Sequence, residues 1–131
     1  MPSNPRILVI EDEMDAQEVI RSILVYNALQ VDAVEDVSQA VEKMRHNPYQ
    51  LIITDVALPE MDGVTFVRQI RKAHSQHQLA IVVVTAYHSS ALKQEALQAG
   101  ANAYFTKPLE GTTFPQQIQR LLESVSTQDE V

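Results

Sequence analysis

The fold of this chain is decided by residues 51–55, which read Leu-Ile-Ile-Thr-Asp. The run is short, apolar and rich in β-branched side chains, and this combination predicts a buried β-strand. Pro59 and the pair Asp62-Gly63 follow it, and both are typical of turns. The sequence therefore places the carboxylate of Asp55 where a buried strand emerges into a loop. In an open α/β sheet, ligands bind at that edge.

Strand-like and helix-like segments alternate five times along the chain. Apolar runs predict strands at residues 6–10, 31–34, 51–55, 80–84 and 103–106, and apolar side chains at helical spacing follow each of them. Because parallel strands buried on both faces read as unbroken apolar runs, the first, third and fourth strands are predicted to be interior. The pattern predicts an α/β fold, a flavodoxin-like doubly wound (βα)5 three-layer sandwich with the parallel sheet order 2-1-3-4-5.

Polar residues mark the ends of the helices between these strands. Asp36 is expected to cap the second helix, with Gln39 as its reciprocal partner in a capping box. The third helix is expected to begin after Gly63 and to run to about His74.

Composition bounds the class of protein. The chain has 131 residues and is 45% apolar, so one domain is expected over residues 1–125, followed by a disordered polar tail or truncated linker over 126–131. There are 10 Lys and Arg against 17 Asp and Glu, and the net charge of −7 disfavours direct contact with nucleic acid. The sequence has no cysteine, no signal-peptide pattern and no membrane-spanning apolar run. A cytoplasmic protein without a membrane partner is therefore expected.

Three acids are predicted to meet in one crevice. The strand order puts the topological switch point between the first and third strands, and these strands end at Glu11, Asp12 and Asp55. Carboxylates at close range repel each other, so they either share a proton or are neutralised by a cation. An all-oxygen site with open positions suits Mg²⁺. The alternative is that these acids are merely solvated at the strand ends.

Two further polar residues are predicted to lie at the same edge of the sheet. Thr85 ends the fourth strand and Lys107 ends the fifth. A hydroxyl and an ammonium beside a metal-bound carboxylate bind the oxygens of a tetrahedral anion, and Asp55 would then be the nucleophile that takes a phosphoryl group as an acyl phosphate. Taken singly, Thr85 is also explained as a loop cap and Lys107 as a surface lysine.

The chain resembles a receiver domain of the bacterial two-component response regulators, and its length is closest to the single-domain chemotaxis type. The resemblance covers about residues 5–125. It is carried, in the family's order, by the segments Ile7-Leu8-Val9-Ile10-Glu11-Asp12, Ile52-Ile53-Thr54-Asp55 with Leu58-Pro59-Glu60-Met61-Asp62-Gly63, Val83-Val84-Thr85-Ala86, and Gly100-Ala101-Asn102-Ala103-Tyr104-Phe105-Thr106-Lys107-Pro108.

The resemblance implies a phosphorylation site and a metal site. It implies that Asp55 accepts a phosphoryl group from a histidine of a sensor kinase or phosphotransfer protein. Asp12 and Asp55 would ligate Mg²⁺, Glu11 would act directly or through the metal's waters, and Ala57 would offer its backbone carbonyl. Such a domain promotes its own phosphorylation and dephosphorylation without being a conventional turnover enzyme.

The resemblance also implies a switch. Thr85 and Lys107 would bind the phosphoryl oxygens, the bond before Pro108 would be cis, and Tyr104 would swing inward when Thr85 moves toward the phosphate. The surface of the fourth helix, fifth strand and fifth helix would then change for an output protein or domain. A phosphorylation-dependent homodimer is a further partner that the resemblance implies.

Other functions require residues that this sequence lacks. A haloacid-dehalogenase-type phosphatase needs a second acid two residues after the nucleophile, where Ala57 stands. A nucleotide binder needs a glycine-rich loop after the first strand, where residues 11–13 are all acidic. A pseudo-receiver that binds proteins without taking phosphate stays as the alternative. Ala57 and Tyr87 lie where the family tunes the phosphate lifetime, and the sequence leaves open whether a small Ala57 or a large Tyr87 dominates.

Overall fold

The computed structural model describes residues 5–109 and 111–129, with only the helical backbone for residues 126–129. Strands and helices alternate strictly along it. They are β1 Arg6–Ile10, α1 Met14–Tyr26, β2 Gln30–Val34, α2 Val37–His46, β3 Leu51–Thr54, α3 Gly63–Arg71, β4 Ala80–Thr85, α4 Ser90–Ala99, β5 Ala103–Thr106 and α5 Thr113–Asp129.

The strands form one parallel sheet in the order β2-β1-β3-β4-β5, which confirms the predicted topology. Side chains of β3 and β4 are buried throughout, whereas those of β5 are half-buried and β2 is mixed, as edge strands are. The last residues of neighbouring strands pair in register, Ile10 with Thr54 and Thr85 with Thr106. The carboxyl ends of the strands therefore lie level along one edge.

Two apolar cores lie on opposite faces of this sheet because successive strand residues point to opposite sides. In β1, Leu8 and Ile10 pack with α2, α3 and α4, whereas Ile7 and Val9 pack with α1 and α5. The result is the predicted three-layer sandwich.

Local interactions fix where the helices begin. Asp36 Oδ1 accepts a hydrogen bond of 2.8 Å from Gln39 N, so Asp36 caps α2 as expected. The return bond is displaced by one residue, because Gln39 Oε1 accepts from Glu35 N at 2.8 Å instead of from the backbone of Asp36.

Two helix ends differ from the sequence prediction. The helix α3 ends at Arg71 and not near His74. Ala73 N donates to Ile70 O in a tighter turn, and the Arg71 guanidinium donates to the carbonyl oxygens of His74 and Ser75. The helix α5 continues to Asp129, past the predicted domain boundary at residue 125. The apolar stripe of α5 stops at residue 125, but the helix continues because no proline or glycine interrupts the backbone of residues 126–129. The end of the predicted tail, residues 130–131, lies outside the described residues.

Across residues 5–109 and 111–129, none of the helices combines the length and the apolar character that a bilayer crossing requires.

Candidate functional site

The two neighbouring strands β1 and β3 deliver one acid each to the same edge of the sheet. Glu11 follows Ile10, and Asp55 follows Thr54. Backbone hydrogen bonds fix both residues just after their strands, since Glu11 N donates to Val34 O at 3.0 Å and Asp55 N donates to Ile10 O at 3.3 Å. Glu11 is 2% exposed and Asp55 is 7% exposed. The topology therefore buries two carboxylates side by side, as the switch-point argument predicts.

Lys107 lies between these two carboxylates. Its Nζ donates to Asp55 Oδ2 at 2.8 Å and also to Glu11 Oε1. The backbone directs the side chain there, because Lys107 N donates to Thr85 O at 2.8 Å and so continues the pairing of β5 with β4. One ammonium thus neutralises two acids from different strands.

The three groups have displaced pKa values. Burial raises the pKa of Glu11, and this effect outweighs the hydrogen bonds from Lys107 and from Glu13 N. Burial acts the same way on Asp55, but its hydrogen bonds from Lys107 and Ala57 N together bring the pKa below the ordinary 3.8. Burial lowers the pKa of Lys107, but its bonds to Asp55 and Glu11 raise it above 10.5. Asp55 is therefore a carboxylate, with lone pairs available for attack, at neutral pH.

An open crevice of about 400 Å³ lies over Asp55. Six residues predicted from the sequence line it, namely Glu11, Asp12, Asp55, Ala57, Thr85 and Lys107, and Glu13, Ala86 and Tyr87 complete its walls. The fold therefore brings the predicted chemical residues together in one place.

The donor set of the crevice fits a hard divalent cation. Asp12 is exposed at the rim, Glu11 and Asp55 lie inside, and all three offer carboxylate oxygens. Among the described residues, no three acidic or imidazole side chains converge tightly enough to enclose a metal by themselves. Mg²⁺ does not need such a cage, because it is usually held by one or two carboxylates and keeps several waters.

The predicted switch residue Tyr104 lies outside the crevice, in a neighbouring groove with His88, Ser89 and Thr106. Its hydroxyl donates to Tyr87 O at 2.8 Å and so ties β5 to the loop that follows Thr85. Burial and the nearby charge of Asp55 raise the pKa of Tyr104. Tyr104 therefore connects the crevice to the surface of α4 and β5.

The remaining predicted positions are also placed. Thr85 is fully buried, and its Oγ1 accepts a long bond of 3.4 Å from Tyr87 N. The hydroxyl of Thr85 is one of the groups that lower the pKa of Asp55. The Lys107–Pro108 peptide bond is cis.

The loop between β3 and α3 is pressed against Asp55. Gly63 N donates to Val56 O at 2.8 Å, and a Cβ at Gly63 would lie 2.1 Å from Asp55 O. Only glycine allows this close approach of α3 to the site. Asp62 then caps α3 by accepting from Val64 N at 2.7 Å.

Sequence reasoning missed two polar side chains that support this edge. Glu60 accepts from Ser38 N at 2.9 Å and from Ser38 Oγ at 2.6 Å, and it thereby fastens the β3–α3 loop to the start of α2. Gln17 is buried in α1. It was detectable as a polar residue three positions before Ile20 on the apolar stripe, whereas Glu60 gave no local signal.

Known proteins with a similar sequence place this chain in a family. Residues 7–119 match the family of response regulator receiver domains. The chain belongs to the response regulator receiver domains. The chemotaxis protein CheY of Bacillus subtilis is 33% identical to this receiver domain over 122 residues, which span 92% of this chain and 94% of that protein.

Solved receiver domains have the same fold. One is the receiver domain of a sensor histidine kinase from Pseudomonas aeruginosa, with a magnesium ion coordinated in its active-site cleft. It is 30% identical, with a TM-score of 0.80 over 92% of this chain and 99% of that one. Another is the beryllofluoride-activated NtrC4 receiver domain dimer, which is 25% identical, with a TM-score of 0.84 over 92% of this chain and 99% of that one. Receiver domains of this family act in phosphorylation-dependent signalling between histidine kinases and output domains.

Proposed function

We propose that Asp55 is the phosphoacceptor of this receiver domain and takes its phosphoryl group from a histidine of a sensor kinase or phosphotransfer protein. One observation carries the proposal. Asp55 is an ionised carboxylate at the floor of an open crevice, with an ammonium already in contact with it.

The transfer balances with the residues at hand. An Asp55 carboxylate oxygen forms a bond to phosphorus as the bond from phosphorus to the histidine nitrogen breaks, and the imidazole leaves with its electron pair. The Lys107 ammonium and the Thr85 hydroxyl bind the phosphoryl oxygens, which carry the transferred charge. Both groups line the crevice beside Asp55.

Mg²⁺ is the proposed cofactor. Asp12, Asp55 and the Ala57 carbonyl would hold it, with Glu11 directly or through the metal's waters. When bound, it would supply positive charge that, together with Lys107, neutralises the phosphoryl oxygens. Magnesium in the cleft of the Pseudomonas aeruginosa receiver domain supports the assignment.

The proposed output is a change in the surface formed by α4, β5 and α5. The helix α4 is weakly packed, since Ala96 is its one buried side chain. Tyr104 links β5 to the loop before α4 through Tyr87 O, and that loop follows directly after Thr85. A shift of Thr85 toward a phosphoryl group would therefore reach α4 at small packing cost.

The proposed partners are a cytoplasmic kinase or phosphotransfer protein and an output protein or domain. Phosphorylation would also favour a homodimer, a proposal supported by the dimeric state of the beryllofluoride-activated NtrC4 receiver domain. Tyr87 is 55% exposed at the mouth of the crevice, so a partner or the ring itself would control the access of water to the phosphoryl group.

Incubation with Mg²⁺ and acetyl phosphate tests the proposal by intact mass spectrometry. The wild type should gain one hydroxylamine-labile phosphoryl group, as an acyl phosphate requires, and Asp55→Asn should gain none. Asp36→Asn is the matched control, since it changes an aspartate outside the crevice and keeps a side chain that caps a helix. Equal labelling of the wild type and Asp55→Asn would reject Asp55 as the acceptor. No labelling of either protein would favour the pseudo-receiver.

A further inference from the structure

Gln17 is a buried amide on the face of α1 that packs against the sheet. It is 8% exposed and shares that face with the buried side chains of Ile20 and Leu24. Its Nε2 donates to Glu11 O at 3.0 Å and to Val34 O at 3.1 Å. Burying an amide is costly unless it is hydrogen-bonded, and here both hydrogens of the NH₂ group are used.

These two acceptors lie where neighbouring strands end. Val34 is the last residue of β2, and Glu11 is the first residue after β1. Val34 O also accepts from Glu11 N at 3.0 Å. The peptide groups on both sides of Glu11 are therefore fixed, one by Val34 and the other by Gln17.

The side chain of Glu11 is also held, through a hydrogen bond to each of its carboxylate oxygens. Its Oε2 accepts from Glu13 N at 3.2 Å, and its Oε1 accepts from Lys107 Nζ. The direction of the peptide after Glu11 decides where Asp12 begins, because Glu11 O and Asp12 N belong to one planar unit. Gln17 thus controls two acids that line the crevice, although it does not line the crevice itself.

A role limited to filling space does not explain this side chain. Methionine has nearly the same length and volume and would fill the space without the desolvation cost of an amide. Each hydrogen of the Gln17 amide instead ends on a carbonyl at the edge of the sheet that carries the crevice.

We propose that Gln17 is the positioning residue of the divalent-cation site: its amide clamps the ends of β1 and β2 so that Glu11 and Asp12 face Asp55 across the crevice. This inference rests on the proposed Mg²⁺ site. Groups that orient metal ligands from behind typically change metal affinity by about 10- to 100-fold when removed.

The test compares two isosteric amide removals at opposite ends of the sheet. Gln17→Met removes the clamp beneath the crevice. Asn102→Leu is the control, because Asn102 Oδ1 likewise accepts two bonds, from Ile81 N at 2.9 Å and from Arg71 Nη2 at 2.8 Å, but near the start of β4. The affinity for Mg²⁺ is measured by titration of backbone amide NMR signals, and stability is measured by urea unfolding.

Gln17→Met should bind Mg²⁺ about tenfold more weakly, and its metal-free spectrum should show displaced amide signals for residues 11–13. Asn102→Leu should lose stability and keep the wild-type affinity. Gln17→Asn is a milder second variant, whose shorter amide should give an intermediate affinity.

Three outcomes separate the claims. Wild-type affinity in Gln17→Met or Gln17→Asn, with a loss of stability only, would overturn the positioning role. An equal loss of affinity in Asn102→Leu would overturn it too, because any loss of stability would then suffice. Absence of Mg²⁺ binding by the wild type would instead reject the proposed metal site, and the inference would fall with it.

Discussion

Replacing Lys107 by methionine should destabilise the fold strongly in the absence of metal. The ammonium contacts Asp55 Oδ2 at 2.8 Å and also Glu11. The side chains of Lys107, Asp55 and Glu11 are 21%, 8% and 2% exposed. Methionine keeps the length and the apolar stem but leaves two buried carboxylates without a counter-charge. Removing one partner of a buried ion pair costs about 3–5 kcal/mol in the free energy of unfolding. Because the crevice is open to water, we expect the lower end, about 3 kcal/mol.

The loss should depend on pH in a defined direction. Without Lys107, the pKa of Asp55 should rise, and the pKa of Glu11, already raised by burial, should rise further. A carboxyl group with a raised folded-state pKa costs stability once the pH exceeds its unfolded pKa, and it regains that stability when it is protonated. The deficit of the variant should therefore be largest at neutral pH and should shrink as the solution is acidified toward about pH 5.

Urea unfolding followed by far-ultraviolet circular dichroism measures both effects in buffer with a chelator. For a chain of this size, about 3 kcal/mol corresponds to a fall in Tm of about 10 °C. Lys93→Met removes an exposed lysine of α4 and should stay within about 0.5 kcal/mol of the wild type. Mg²⁺ should restore part of the loss, since a cation bound at the proposed site would supply the missing positive charge. A Lys107→Met protein as stable as the Lys93→Met control at neutral pH would refute the reasoning.

Three further substitutions test individual contacts of the fold. Gly63→Ala places a Cβ 2.1 Å from the carbonyl oxygen of Asp55, so α3 must shift. Urea unfolding should show that the free energy of unfolding falls by about 1–3 kcal/mol. An unchanged free energy of unfolding would mean that the loop between β3 and α3 moves away without cost. Tyr49→Phe removes the hydroxyl that donates to Asp32 at 2.6 Å. Burial raises the pKa of Asp32, but hydrogen bonds from Tyr49 and Arg6 lower it further, so the pKa of Asp32 measured by NMR should rise in the variant. A lowered carboxyl pKa stabilises the fold above the ordinary value of 3.8, and this stability is lost as the pH falls. An unchanged pKa of Asp32 would contradict the assignment. Asp36→Ala should cost about 1 kcal/mol in thermal or urea unfolding through loss of the α2 cap, and a loss of the same size in an asparagine variant would argue against capping.

Local pattern was sufficient for the architecture of this protein. Apolar runs and helical spacing predicted the five strands and the sheet order. Since parallel strands end at one edge, they also predicted that Asp55, Thr85 and Lys107 would meet. The prediction failed where no local pattern exists, at the end of α3, because Arg71 bonds to carbonyls of the following loop.

What the sequence determined by itself is therefore the order of the elements and the edge of the sheet at which each chemical group lies, because both follow from periodicity along the chain. Only the tertiary structure decided how those groups are held. Three contacts join different elements of the fold: the bond that Lys107 donates to Glu11, the bond that Ser38 donates to Glu60 and the bond that Gln17 donates to Glu11 O. Such contacts depend on how helices pack on the sheet, and that packing is set by the whole core at once.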